Sequence, residues 1–454
     1  MNSYSGAFQY LDDRGAEMQG GSCRVMIEPP NLFVTPQSGP SLSVDLGDID
    51  FFVPGDYQLS LILYTGKSLV FTKFAKAFQN LSADLLQTYR DRLVRCLLLE
   101  DLEEIERFEG YVDVDASDAN FSSPAELRLY ESNLAILPEK GVGLQWRLAD
   151  IDGIEFDDAA YRVIIRSGNS RLTVTKLAKR TGEFIERLRS AADAVSENTS
   201  AIVRSLCPFL SPDQVLETSR LMREGRAAAF SKLSRIHPGI EQSLIANGVD
   251  RSLKPYFEVL KQKMFGSEWF AGFKMVRPET KPEADPGPVE PIVDSSPAEA
   301  AERGTPVAKK SEGGEKERSI LYWFFFPLQG TTGGEIPGVI AWESTSLSGR
   351  ATFFFKTPTA YSSGDVHDNT ANLEYAVRQL NQALAMLNFR REPIYLSDIS
   401  LQTEARYHQY AIACRKISAL RELRASYLGR AIHTSVDVWQ KQVEAILNKR
   451  EASG

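Results

Sequence analysis

The residues of this chain best suited to chemistry are a set of cations between positions 162 and 180: Arg162, Arg166, Arg171, Lys176, Lys179 and Arg180. On a strand, side chains an even number of residues apart share a face, so Arg162 and Arg166 point the same way. Such a grouping suits an anionic ligand. The plainer reading is the solvated outer face of a sheet. These six are the candidate ligand-binding residues.

Other constellations are weaker. Asp48 and Asp50, like Asp150 and Asp152, each project to one strand face. Two carboxylates do not fill a calcium shell of about six to eight oxygens, so they read as closing a turn around Ile49 and Ile151. The four histidines, His237, His367, His408 and His433, form no HxH or HExxH spacing, so no zinc site is assigned. Gly330–Gly338 is glycine-rich but lacks the Lys-Ser/Thr of a phosphate loop. The densest polar stretch, with Arg390, Arg391, Glu392, Tyr395 and Asp398, lies in a region that also holds Glu404 and His408. It is where an unrecognised enzyme site would sit, near residues 388–408. No catalytic residue, metal or cofactor is assigned, and the pattern leans against an enzyme.

Composition narrows the classes. A chain of 454 residues has room for about three domains. Its net charge of −8 argues against a general nucleic-acid binder, whose domain is usually basic. Cys23, Cys96, Cys207 and Cys414 lie far apart and read as reduced thiols rather than a disulfide framework. The N-terminus lacks the basic start and apolar run of a secretory signal. Apolar runs such as Trp323–Phe326 fall well short of the ~20 residues that span a bilayer. The expected compartment is cytoplasmic.

The elements that position the cations occur twice. Residues 31–50, NLFVTPQSGPSLSVDLGDID, align without a gap on 133–152, NLAILPEKGVGLQWRLADID, with nine of twenty positions identical. The match resumes at Gly66-x-Ser68 against Gly168-x-Ser170, then at Thr72-Lys-x-Ala-Lys76 against Thr175-Lys-x-Ala-Lys179. In the second copy Leu127, Leu129, Leu134, Ile136, Leu144, Trp146 and Leu148 alternate with polar neighbours, the period of a strand with one buried face. Further strands are expected near 151–156, 161–165 and 172–176. The period then turns helical at Phe184, Ile185, Leu188, Ala191 and Ala192, as it does in the first copy from Leu81 to Val94. Each copy therefore predicts six or seven short strands and one C-terminal helix.

That order resembles tandem pleckstrin-homology/GRAM-like domains of the bacterial type: bent antiparallel barrels, each closed at one end by its last helix. The resemblance covers residues 23–98 and 125–195. It implies binding modules for lipid headgroups, peptides or other domains. Members that bind phosphoinositides gather Lys and Arg around the first hairpin. Here the first copy has only Arg24 nearby, and the second has Arg128, Lys140 and Arg147 spread across it.

The expected fold class is α+β: two antiparallel β-barrel modules, each capped by a helix, then a helical segment and a C-terminal α+β domain. Residues 1–22 are expected as a flexible N-terminus, 99–124 as an acidic connector and 196–265 as a helical segment. Ser211-Pro-Asp-Gln214 opens a helix with a capping box, and Gly225 breaks it from the next. Residues 266–277 with 318–365 predict a small β-sheet. Phe324–Phe326 and Phe353–Phe355 lack alternation, which suits strands covered on both faces. The Pro-rich, charged stretch 278–317 predicts a disordered linker, either between domains or thrown out of one. Residues 366–454 predict helices, one of them carrying Tyr407 through Leu428. Their basic residues scatter around the wheel, so no specific nucleic acid is expected.

The function expected from this pattern is a non-enzymatic cytoplasmic binding or scaffold protein whose tandem modules contact proteins or an anionic ligand. Two alternatives stand beside it: a peripheral membrane protein using the second module on anionic lipid, and an enzyme near residues 388–408.

Overall fold

The computed structural model describes residues 3–116, 119–264, 268–276, 319–328, 338–345, 350–357 and 369–451. In it the duplication holds down to strand order. The first copy runs β1 (Ser3–Leu11), β2 (Glu17–Glu28), β3 (Asn31–Pro36), β4 (Leu42–Asp45), β5 (Ile49–Gly55), β6 (Gln58–Leu63), β7 (Ser68–Thr72) and α1 (Phe78–Cys96). The second runs β8 (Glu104–Ala116), β9 (Ala119–Tyr130), β10 (Asn133–Pro138), β11 (Leu144–Arg147), β12 (Gly153–Asp157), β13 (Arg162–Ser167), β14 (Ser170–Thr175) and α2 (Thr181–Leu206). Both form seven-stranded antiparallel sheets, ordered β4-β3-β2-β1-β7-β6-β5 and β11-β10-β9-β8-β14-β13-β12.

Each unit begins earlier than its sequence signal. The residues expected as a flexible N-terminus and an acidic connector are largely strands, β1 with the start of β2 and β8 with the start of β9. In β8 the acids Glu104, Glu106 and Glu109 disguise an alternation in which Phe108, Val112 and Val114 are buried. In β1 the pattern is broken by Gly6, set between buried Tyr4 and Phe8.

The shared Thr-Lys-x-Ala-Lys motif explains that glycine. Lys73 and Ala75 have φ of 60° and 48°, and Lys176 and Ala178 have 59° and 52°. Left-handed backbone is uncommon outside glycine. Here it turns the last strand into the helix and drives the central residue, Phe74 or Leu177, into the core. Facing each is a glycine of the first strand. A Cβ on Gly6 would lie 2.5 Å from the Phe74 ring, and one on Gly110 would lie 3.3 Å from Leu177 Cδ2.

The two units are packed together. One side of α1 buries Leu81, Leu85, Tyr89 and Leu93 in the first unit's core. Elsewhere it meets the second sheet, where Arg90 Nη1 donates to Glu109 Oε1 (2.9 Å) and Arg128 Nη2 donates to Asp91 Oδ1 (2.6 Å). Arg128 also pairs with Glu126 within that sheet, and both are buried. All six residues of β10 are buried as a result.

The helical segment contains α3 (Pro212–Leu221), α4 (Phe230–Ile236), α5 (Gly239–Gly248) and α6 (Lys254–Gln262). The capping box at Ser211 and Gln214 is formed. A third sheet orders its strands sequentially: β15 (Ala228–Ala229), β16 (Phe270–Val276), β17 (Ser319–Leu328), β18 (Val339–Ser344), β19 (Ala351–Lys356) and β20 (Tyr427–Ile432). Because β16 pairs antiparallel with β17, the stretch 278–317 connects neighbours of one sheet rather than two domains. That stretch, expected as disordered, lies outside the described residues.

Helices cover both faces of this sheet. They are α7 (Asn369–Met386), α8 (Glu392–Tyr395), α9 (Asp398–Thr403), α10 (His408–Lys416), α11 (Ser418–Ser426) and α12 (Val436–Glu451), together with the helical segment. Trp323, Phe325, Phe353 and Phe355 pack with Leu380 and Leu384 of α7, while Phe324, Phe326 and Phe354 pack with Phe257 and Trp439. The unbroken apolar runs therefore do serve two cores. Full burial of each such side chain stabilises by roughly 1.5–3 kcal/mol. The expectation of one helix through Leu428 is corrected: Tyr427–Ile432 pair with β19, because completing the sheet edge outweighs helical spacing. Among the described residues, no helix is long and apolar enough to cross a membrane.

Candidate functional site

Most of the six cations singled out by sequence have partners within the second unit. Arg162 Nε donates to Asp157 Oδ2 (2.9 Å), and Arg166 Nη2 to Glu155 Oε2 (2.9 Å). Arg171 lies 3.4 Å from Asp115. Arg180 bridges Glu106 and Glu183 and covers the Phe108 ring at 4.3 Å. Lys176 sits over the Tyr111 ring at 4.5 Å, and Lys179 is exposed. Glu155 is held below the usual carboxylate range by Arg166, and Asp157 by the Ala160 N–H and then Arg162. Exposed pairs of this kind leave little uncompensated charge and add little to stability.

The suspects near 388–398 fasten elements together. Arg390 pairs with Asp101 after the first unit, and Arg391 Nη2 donates to Ser344 Oγ (2.8 Å). Asp398 accepts from Arg424 (2.6 Å), and the Arg430 guanidinium covers the Tyr395 ring at 3.8 Å. The Asp-Ile-Asp turns act similarly. Arg415 pairs with Asp48, and Lys416 Nζ donates to the Ile49 carbonyl (2.7 Å). In the second copy Arg223 Nη1 donates to the Ile151 carbonyl (3.1 Å), the equivalent position. Each turn is thus held by a cation from a later helical arm.

Two clusters join residues too dispersed for a sequence motif to reveal. The first surrounds Arg223-Glu-Gly-Arg226, between α3 and β15. Gly225 N–H donates to the Phe273 carbonyl (2.8 Å), and the Gly225 carbonyl accepts from Asn381 Nδ2 (2.9 Å). Asn381 Oδ1 in turn accepts from Trp323 Nε1 (2.9 Å). Gly225 has φ of +82°, and a Cβ there would lie 3.0 Å from Arg147 Nη2. Arg147 is 8% exposed; its Nε is 3.3 Å from Asp150 Oδ2, while its Nη1 and Nη2 have no hydrogen-bond partner among the described residues. Lys274 Nζ donates to Asn388 Oδ1 (2.7 Å). Burial, with the Arg147 charge added, pushes Lys274 down to about 8. Burial also raises Glu224, whose Oε1 accepts from Met275 N–H (3.0 Å), and lowers Arg226. The second unit, the third sheet and α7 therefore meet at a junction rich in buried and half-buried cations.

The second cluster fixes α12. Glu343 Oε2 accepts from Thr352 Oγ1 (2.7 Å) and lies 3.2 Å from His433 Nε2. Trp439 Nε1 donates to Thr352 Oγ1 (3.0 Å), and Tyr256 stacks on His433 at 4.3 Å. With the Glu343 and His433 side chains only 4% and 2% exposed, this group meets no solvent-borne substrate.

On the surface, the hairpin after β5 exposes Tyr57 and the one after β12 exposes Tyr161, at 75% and 53%. Phe51 and Phe156 on those strands are also exposed, and β5 and β12 are terminal strands of their sheets. A shallow depression of about 700 Å³ follows α2 past Ile185, Arg189 and Asp193. Arg189 Nη2 donates to the Ile154 carbonyl of β12 (3.2 Å), so the depression adjoins that strand. No protein-family model matches the chain, and no curated protein matches it.

Proposed function

We propose that the chain is a non-enzymatic cytoplasmic scaffold that docks other proteins on its duplicated units. The observation that carries this reading is the repeated aromatic edge: Phe51 and Phe156 exposed on terminal strands, with Tyr57 and Tyr161 exposed in the hairpins that follow them. A terminal strand offers unpaired N–H and C=O groups to an extended peptide, and neighbouring aromatics give such a peptide apolar footing. The pleckstrin-homology/GRAM-like resemblance, with each sheet bent into a barrel, is supported by the shared strand order and the helix that follows it. Anionic lipid binding through Arg162, Arg166, Arg171, Lys176, Lys179 and Arg180 is the weaker alternative, because neighbouring carboxylates offset four of the six. An enzyme site near 388–408 is weaker still, since its polar residues already bind other elements.

Affinity capture with the intact chain identifies the partner, which is then purified and titrated. Phe156→Ala combined with Tyr161→Ala is expected to weaken that complex at least about tenfold while leaving thermal stability unchanged. Undiminished binding, or binding lost only in Arg162→Ala/Arg166→Ala together with flotation on anionic liposomes, would sink the protein-docking reading.

A further inference from the structure

The two copies differ at one buried position in a way that leaves two guanidinium nitrogens without an acceptor. In the first copy the residue ending β4 is Asp45, which accepts a two-pronged bond from Arg92 (2.9 and 2.7 Å). At the aligned position in the second copy the residue is Arg147, whose Nε lies 3.3 Å from Asp150 Oδ2 while Nη1 and Nη2 are buried with no hydrogen-bond partner among the described residues. An unsatisfied buried polar group costs about 1–3 kcal/mol, and more when charged, so the fork calls for an acceptor. Asp150 stands at the Nε edge, and Glu224 is engaged by Met275 N–H. Lys274 follows Phe273, whose carbonyl takes the Gly225 N–H, and Gly225 is the residue against which the Arg147 fork lies. Among the described residues, its ammonium has only the neutral amide of Asn388 as hydrogen-bond partner. Glu224, Arg226 and Lys274 are each part-exposed, so the junction lies close to the surface.

We propose that this junction binds a small oxyanion of the phosphate class, two oxygens on the Arg147 fork and a third on Lys274 Nζ. The planar fork matches a pair of oxygens, and the lysine supplies a point charge to one outside their plane. A tetrahedral anion has that third oxygen; a carboxylate does not. Bound there, the anion would join the second unit to the third sheet, and it would answer the Arg147 fork as Arg92 answers Asp45. The inference does not rest on the protein-docking reading.

The test uses the full chain, titrated with sodium phosphate in calorimetry and thermal melts, with sodium chloride at equal ionic strength and sodium acetate as comparisons. One saturable phosphate site is expected, with acetate weaker. Arg147→Met and Lys274→Met should each weaken phosphate at least about tenfold, as loss of a charge-assisted hydrogen bond implies, while Arg162→Met leaves it unchanged. If Arg147→Met does not fold, Lys274→Met decides. Phosphate acting no more strongly than chloride would overturn the site, as would wild-type affinity in the folded variants. Acetate binding as tightly as phosphate would overturn the assignment to a tetrahedral anion.

Discussion

Replacing Lys274 with Met removes an amine that burial holds at about 8, against 10.5 for the ordinary side chain. Each unit of that depression is about 1.4 kcal/mol of preference for the neutral form. At pH 7 the amine is protonated both folded and unfolded, and the folded chain bears a penalty of about 3 kcal/mol. Met removes that penalty and loses the bond to Asn388, worth about 1 kcal/mol. Lys274→Met should therefore be more stable by about 2 kcal/mol at pH 7 in chloride buffer without phosphate. The sign of the pH dependence follows. Between pH 8 and 10.5 the unfolded chain binds the proton that the folded chain has released, so wild-type stability rises relative to the variant. Thiols pushed up to about 11, such as Cys96, pull the other way above pH 9 but do so equally in both proteins. Urea denaturation at pH 7, 8, 9 and 10 measures the gap, which should shrink steadily above pH 8. A gap that stays constant or widens would refute the burial argument.

Gly225→Ala should lose about 2–3 kcal/mol in urea unfolding, from the left-handed backbone and the close Arg147 fork; a loss under about 0.5 kcal/mol would contradict that geometry. Arg128→Met should cost about 3–5 kcal/mol by leaving Glu126 buried without its nearest cation. The double variant Arg128→Met/Glu126→Met should recover most of it, and failure to recover would show that the pair has no special coupling. Burial raises all four cysteine thiols, Cys23, Cys96 and Cys414 to about 11. Iodoacetamide at pH 8 should label the folded chain far more slowly than the urea-unfolded chain, as mass spectrometry can follow; equal rates would contradict the burial.

What could be read from the residues depended on how local the physics was. Turns and core alternation are local, so the repeat, the capping box at Ser211 and the doubly buried strands of the third sheet were visible. The first strand of each unit was not, because Gly6 interrupts its alternation and β8 alternates beneath a run of acids. Gly6 makes sense only beside Phe74, a contact across the sheet that no window of sequence contains. Tyr427 and Leu428 read as helix because their partner strand, β19, lies far upstream. The junction was least legible. Arg147, Gly225, Lys274 and Asn388 come from four separate stretches of the chain, and the one available signal was Gly225, read only as a helix break. Conversely, the cations at 162–180 stood out because their partners, among them Asp115 and Glu106, are brought close only by strand pairing.

The hold of α10 on the first unit has a consequence for how the chain is made. Arg415 reaches Asp48, and Lys416 the Ile49 carbonyl, across 367 residues. At roughly 5–20 residues per second, synthesis takes about 20–70 s to cover that distance. Until then the Asp-Ile-Asp turn stands without its cations. During part of the same interval β19, with its Phe353-Phe-Phe355 run, lacks the strand that closes its edge, and an open apolar edge invites wrong pairing. Nascent chains halted before Tyr427 should need chaperones where complete ones do not. The first unit is made long before the residues that finish it.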